Sequence, residues 1–261
     1  MPLITRLNRA FQIFGMDLIV AADALRSIGW YVNTARKYQR LCDDDRFKFH
    51  ITHARPLLHD RFAQAGALGH YFHMDLWAAR KVHARHPTDH LDVGSRIDGF
   101  IAHLLSFMCV AVIDIRPLKS DIEGLTFIQE DATLLTGIPD NSIRSLSSLH
   151  AVEHFGLGRY GDPIAPNAWS FALDALARVL QPGGYLYFAT PIGTERVEFN
   201  SQRVFYPETI IEAFGSLELV SFSAVDDNGK FHENAIPGDF RNARHACGLF
   251  EFTKPPTTSG R

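Results

Sequence analysis

From residue 90 onward the chain alternates short apolar runs with stretches that are apolar on one side only. The runs are LDVG (91–94), CVAVIDI (109–115), LTFIQED (125–131), IRSLSSL (143–149), YLYFATP (185–191), LELVSFSAV (217–225) and CGLFEFTK (247–254). Their length and their β-branched and aromatic content are those of strands. Between several of them lie IDGFIAHLLSF (97–107), NAWSFALDALARVL (167–180) and PETIIEAF (207–214), where apolar residues recur at helical spacing. Strands alternating with helices build a mainly parallel sheet covered on both faces. Only the polar stretch DDNGKFHENAIPGDFRNARH separates the last two runs, so the pattern predicts that they pair antiparallel. The expectation is a seven-stranded α/β domain over residues 86–254.

Upstream, Leu18, Ala21, Ala22, Leu25 and Ile28 repeat at three and four with few β-branched runs, which predicts a helical N-terminal extension over 1–85. The end, PPTTSGR (255–261), has the composition of a disordered tail.

Composition narrows the function classes. Among 261 residues, 46% hydrophobic content is ample for a core, and a net charge of -3 gives no general pull toward nucleic acid. Cys42, Cys109 and Cys247 are far apart and form no C-x-x-C pair, which argues against a disulfide framework or a cysteine-based zinc site and for a reducing, cytoplasmic setting. The first residues lack the layout of a secretory leader, and no apolar run is long enough to span a membrane. One segment stands apart. Residues 1–40 hold Arg6, Arg9, Arg26, Arg36, Lys37 and Arg40 against Asp17 and Asp23, among Phe11, Phe14, Trp30 and Tyr31. Such a segment packs as an ordinary helical extension, or lies peripherally on an anionic membrane or on a partner such as a glycosyltransferase. A homodimer also stays open.

In open α/β sheets ligands bind beyond the carboxyl ends of the strands, where strand order reverses. After the first strand, Asp92-Val93-Gly94-Ser95-Arg96-Ile97-Asp98-Gly99 offers a tight glycine turn and a helix N-terminus. Asp114, ending the second strand, lies 20 residues beyond Gly94, the spacing at which a carboxylate accepts ribose hydroxyls; a helix cap is the plain alternative. Asp131-Ala132 ends the third strand and offers a carboxylate to an adenine amino group.

The fourth strand runs into SLHAVEHFGLGRYGDP. Here His150, Glu153 and His154 stand in the order H-x-x-E-H used by one class of zinc peptidases. That reading needs a long helix bearing both imidazoles, whereas His150 directly follows a strand, glycines and Pro163 come next, and no third ligand stands downstream.

Taken in order, LDVGS, VIDIRP, FIQEDATLL, GIPDNSIRSLSSLHAVEH and LARVLQPGGYLYFATP resemble the class I S-adenosylmethionine-dependent methyltransferases. The longer strings HLDVGSRIDGF, DIRP, SLHAVEHFGLGRYGDP and FNSQRVF resemble a domain-of-unknown-function branch of that superfamily, associated with sugar and surface-polysaccharide genes. The resemblance implies a Rossmann-like fold, S-adenosylmethionine as cofactor and methyl transfer. It places the cofactor on Asp92, Gly94, Ser95, Arg96 and Asp98 at the first turn. Asp114, Ile115 and Arg116 follow at the second strand end, then Asp131 and Ala132 at the third, and Leu149 and His150 at the fourth. The pattern departs from the family at Arg96 and Asp98, where small residues are usual; these two suit the carboxylate and amino group of the cofactor's amino acid part.

Within that frame the 150–162 loop faces the reacting methyl group. O-methylation of a sugar or glycan precursor needs a base for the hydroxyl proton, and imidazole has the right ordinary pKa of about 6.5. His154 is the first candidate, with His150 nearer the cofactor and Glu153 orienting an imidazole. Glu153 with Asp162 also forms a hard oxygen pair for Mg²⁺, the weaker metal alternative. Tyr71 and Asp75, in HYFHMDLW, are placed as a lid over the cofactor or the acceptor. Arg159, Tyr160, Asp162, Asn200 and Arg203 supply acceptor contacts suited to a hydroxyl array or to an anion. The competing functions are methylation of another small molecule at oxygen or nitrogen, and a non-catalytic cofactor-binding scaffold.

Overall fold

A computed structural model describes residues 8, 11–58, 60–63, 65–66 and 68–256. The chain divides into two compact units, Met1–Ala67 and Leu68–Arg261.

In the first unit the main element is α1 (Leu18–Leu41), followed by short 3-10 turns. Asp17 starts α1 by accepting hydrogen bonds from the backbone amides of Ile19 and Val20, which would otherwise lack partners. Arg6 and Arg9 of the basic segment lie outside the described residues. So do residues 257–261 of the expected tail. Among the described residues no helix is long and apolar enough to cross a membrane.

The second unit opens with α2 (His70–Arg85). The expected boundary at residue 85 therefore moves to 67, because α2 is bound to the sheet. Lys81 and Arg85 each meet the buried carboxylate of Glu251 at 2.8 Å, and the Ser221 hydroxyl donates to the same group. The strands are β1 (Leu91–Val93), β2 (Val110–Asp114), β3 (Leu125–Gln129), β4 (Ile143–Leu149), β5 (Leu180–Ile192), β6 (Arg196–Glu198), β7 (Gln202–Val204), β8 (Glu218–Val225), β9 (Phe231–His232) and β10 (Ala246–Thr253). A π-helical turn (Ile97–Ile101) leads into α3 (Ala102–Leu105), and α4 (Ala168–Val179) and α5 (Pro207–Ala213) come later.

The main sheet runs β3-β2-β1-β4-β5-β10-β8-β9, with β6 and β7 forming a separate hairpin. β1 to β5 pair in parallel, and β10 lies antiparallel between β5 and β8, as the polar connection predicted. The sheet has eight strands rather than seven. The extra one, β9, is two residues long and leaves no alternating signature. It exists because Asp226-Asp227-Asn228-Gly229 forms a tight turn, in which the Asp226 carboxylate accepts the amides of Asn228 and Lys230 and Gly229 takes φ +80°.

Side chains alternate across each strand. Leu186 and Phe188 of β5 enter one core with α4 and α5, whereas Tyr187 and Ala189 enter the other with α2 and α3. On the first face Phe250 is fully buried, with ring centroids 4.9 Å from Phe222, 5.9 Å from Phe252 and 6.3 Å from Phe188. Truncating a fully packed aromatic leaves a cavity, so Phe250→Ala should cost about 3–5 kcal/mol in a denaturant titration. A loss below about 1 kcal/mol would contradict this packing.

Candidate functional site

The chain passes from β1 to β2 and β3 on one side, then returns to β4 on the other side of β1. This reversal leaves a crevice beyond the strand ends, the expected ligand position in an open sheet. A pocket of about 490 Å³ occupies it, lined by residues from the ends of β1, β2 and β4 and from the 150–162 loop.

The floor is set by a buried polar ladder. Asp92, fully buried on β1, accepts from the Ser95 amide at 2.9 Å, from the Ser95 hydroxyl at 2.6 Å and from the Ser147 hydroxyl of β4. The Ser95 hydroxyl oxygen in turn accepts the Leu149 amide at 3.0 Å. His90 lies between Ser145 and Ser147 at 2.7 and 2.8 Å. Burial pushes its pKa down to about 3, so the ring is neutral. Burial pushes Asp92 up to about 6, against the hydrogen bonds from Ser147 and Ser95. Gly94 takes φ +74°, and a Cβ there would come within 2.8 Å of the Ala151 Cβ. The turn thus presents bare backbone to the pocket because only glycine fits.

Along the second wall, the Asp114 carboxylate holds Arg116 through its amide at 2.8 Å and its Nε at 2.9 Å. Asp131 accepts the Thr133 amide at 2.9 Å and its hydroxyl at 2.6 Å. Ile115, Pro117, Leu118, Phe127 and Ala132 make the space between these carboxylates apolar. At the mouth, Arg96 and Asp98 pair with each other at 3.1 and 3.0 Å, and the Arg96 guanidinium lies 4.7 Å from the Tyr71 ring centre.

The third wall is the loop after β4. His150 takes φ +53°, which turns its ring toward Glu153. Its Nδ1 lies 2.7 Å from Glu153 Oε1, and its Nε2 lies 3.2 Å from the sulfur of Cys247 on β10. Burial opposes charge on both members of the His150–Glu153 pair, but the close contact outweighs it. The Cys247 sulfur and the Glu153 carboxylate hold His150 well above the ordinary imidazole range, and His150 holds Glu153 below the ordinary carboxylate range. The second imidazole, His154, has its Nε2 3.8 Å from Glu153 Oε1 and donates from Nδ1 to the Ser201 carbonyl at 2.7 Å. Burial pushes its pKa down against the pull of Glu153 and the Ser201 carbonyl, with smaller downward pushes from Arg159 and His150. At neutral pH these shifts favour a charged His150 and a neutral His154, whose lone pair lies on Nε2.

Most residues expected at the site line this one pocket: Tyr71, Gly94, Ser95, Arg96, Asp98, Asp114, Ile115, Arg116, Asp131, Ala132, His150, His154, Arg159, Tyr160 and Asp162. Six do not. Asp92 and Leu149 act from beneath, through the ladder just described. Glu153 is sealed under the two histidines with no exposed surface. Arg203, expected to contact an acceptor, is buried and donates to the carbonyls of Phe155 at 2.7 Å and Pro166 at 3.0 Å, so it clamps the loop. Asn200 is exposed in the β6–β7 turn, outside the pocket lining. Asp75 is buried on α2 instead of forming a lid; a Cβ on Gly99 would overlap its carboxylate.

The hard oxygen pair does not form either, because Asp162 Oδ2 accepts the amides of Gly156 at 2.9 Å and Gly158 at 3.2 Å while Glu153 stays under the imidazoles. Among the described residues no group of three or more His, Cys, Asp and Glu is placed to hold a metal ion. His90, Ser147, Ser201 and Cys247 escape sequence reasoning. They are single letters in strands and turns, and only the alignment of β1, β4, β10 and the β6–β7 hairpin gives them partners.

Residues 140–235, less than half of the chain, match a family described as "Caenorhabditis protein of unknown function, DUF268". No curated protein matches the sequence. Among solved structures, the 4+2 cyclase SpnF is 13% identical over 70% of this chain and 82% of its own, with a TM-score of 0.51. YcgJ of Bacillus subtilis is 12% identical over 70% of this chain and 98% of its own, at 0.50. The N-methyltransferase NodS of Bradyrhizobium japonicum is 16% identical over 69% of this chain and 94% of its own, at 0.49. The second unit has a Rossmann-like fold, an open mainly parallel sheet with helices on both faces, shared with SpnF and YcgJ.

Burial pushes the Asp75 carboxyl up to about 6, against Arg96, His103 and His150 and with a small push from Asp98. A carboxyl raised above its unfolded value near 3.8 contributes stability below about pH 4 that is lost as pH rises through about 6. Asp75→Asn removes that loss. Its Tm relative to the parent should therefore be higher at pH 8 than at pH 4.5, and parallel Tm profiles would contradict the assignment.

Proposed function

We propose that this protein is an S-adenosylmethionine-dependent methyltransferase that methylates a hydroxyl group of a small molecule, a sugar or glycan precursor being the class favoured. The observation that carries the reading is an imidazole, His154, held through Nδ1 by the Ser201 carbonyl on the wall of a crevice whose other walls suit an adenosyl group. The fold alone does not specify the reaction, since SpnF shares it and is a cyclase.

The residues fit the cofactor. Asp114 at the end of β2 suits two ribose hydroxyls, and the apolar space between Ile115, Leu118 and Ala132 suits a flat ring, with Asp131 at its edge. The glycine turn at Gly94 leaves room for close backbone approach, and Arg96 and Asp98 offer opposite charges to an amino acid group. S-adenosylmethionine bound there would supply an electrophilic methyl group.

The chain's own residues handle the proton. His154 donates from Nδ1 to the Ser201 carbonyl, which fixes the ring and leaves Nε2 to accept. As the acceptor oxygen forms its bond to carbon, its proton passes to that nitrogen. The buried Glu153 carboxylate, 3.8 Å away, stabilises the imidazolium that results. His150 is already protonated and has both nitrogens engaged, so it serves as the fixed counter-ion of Glu153. Walls that exclude water and hold the two substrates in line supply the rest of the acceleration.

Replacing the base should lower turnover with little effect on cofactor binding. His154→Ala should reduce methyl transfer by about 10²–10⁴-fold. S-adenosylhomocysteine should bind the variant with about the parent's affinity. The parent rate should fall as pH drops through a value below 6.5, the ordinary imidazole pKa from which His154 is shifted down. Full turnover by the variant, or a flat acid limb, would remove His154 from the role.

A further inference from the structure

We infer that the acceptor carries an anionic group within a few bonds of its reacting hydroxyl, and that Arg159 is the residue that recognises it. The inference rests on the methyl-transfer reading above and adds the chemical class of the second substrate.

Three arginines line the pocket. Arg96 is paired with Asp98 and Arg116 with Asp114, so both charges are compensated within the protein. Arg159 is the exception among the described residues. It is exposed, donates to the Ser201 carbonyl at 3.0 Å and lies 5.2 Å from the Tyr160 ring centre, with no carboxylate in salt-bridge contact. Asp162, close by in sequence, turns its oxygens onto the amides of Gly156, Gly158 and Tyr160 instead.

The position of this cation matters more than its lack of a partner. Its NH1 lies 3.2 Å from His154 Nδ1 and 3.5 Å from His154 Nε2. A guanidinium held against an imidazole opposes protonation of the ring, the event that a base must undergo. A neutral acceptor leaves that opposition in place. An acceptor with a carboxylate or phosphate on Arg159 cancels it when the hydroxyl arrives, so the base strengthens only in the loaded site.

The same spacing limits the acceptor. Contacts of about 2.8 Å from an anion oxygen to the guanidinium and from a hydroxyl to Nε2 place those two oxygens a few bonds apart, as in a hydroxy acid or a sugar bearing a vicinal anion. Tyr160, with the Arg116 guanidinium 4.8 Å from its ring centre, offers a flat edge beside them.

The test uses the full-length protein saturated with S-adenosylhomocysteine and three probes in calorimetry: D-glucuronate, glucose 1-phosphate and methyl glucoside. At least one anionic probe should bind about 10–100-fold more tightly than the neutral one, the usual worth of a charge-assisted contact. Which anion prevails distinguishes carboxylate from phosphate recognition. Arg159→Met should abolish the preference, Arg159→Lys should keep part of it, and both should bind S-adenosylhomocysteine as the parent does, which shows that they are folded. Equal binding of the neutral probe, no binding of either anion, or a preference that survives in Arg159→Met would overturn the inference. Failure of the parent to bind S-adenosylhomocysteine would instead remove the methyl-transfer reading, and this inference with it.

Discussion

The carboxylate of Glu153 has no access to water, and the loop after β4 is arranged around keeping it charged. An ion removed from solvent must be compensated at close range. His150 does this at 2.7 Å, and can do so only because its backbone adopts φ +53° and its other nitrogen finds the sulfur of Cys247 on β10. One compensated carboxylate then sets two imidazoles apart. His150 is held as a cation, and His154, at 3.8 Å, stays neutral yet has a negative charge waiting should it gain a proton. Two titratable groups with environments that push them in opposite directions are the usual mark of an acid–base assignment.

The sheet places this loop where it is useful. Asp92 joins β1 to β4 through Ser147 and fixes the glycine turn through Ser95, whose oxygen also holds the Leu149 amide. The first turn and the fourth strand end are thus locked together across the point where strand order reverses. Arg203, reaching from β7 to three carbonyls of the loop, holds the far side. The glycine-turn wall and the histidine wall of the pocket are therefore one connected framework.

Much of this was legible in the sequence, and for physical reasons. Strands that are buried on both faces read as apolar runs, and the helices between them carry a clear 3.6 period, so the parallel core and the antiparallel β8–β10 pair followed from pattern alone. β9 did not, because two residues cannot show alternation. The domain boundary fell at 67 instead of 85 because helical periodicity in α2 says nothing about what the helix packs against; the Lys81 and Arg85 contacts to Glu251 decide that. At the site, the strand-end carboxylates and the His-x-x-Glu-His residues were visible as letters, but not their ranks. Polarity marked Arg203 and Asp75 as exposed contacts, whereas both are buried, one clamping a loop and the other pressed against Gly99. Ser201 acts through its carbonyl, which no side-chain motif can announce.

The central claim is that one pocket brings an adenosyl cofactor and the neutral His154 together. A crystal structure of the protein with S-adenosylhomocysteine tests it most directly. The ribose should rest on Asp114, the adenine between Ile115 and Ala132, and the sulfur should face the side of the pocket that holds His154 Nε2 and Arg159. A ligand bound elsewhere, or a sulfur pointing away from His154, would contradict the account.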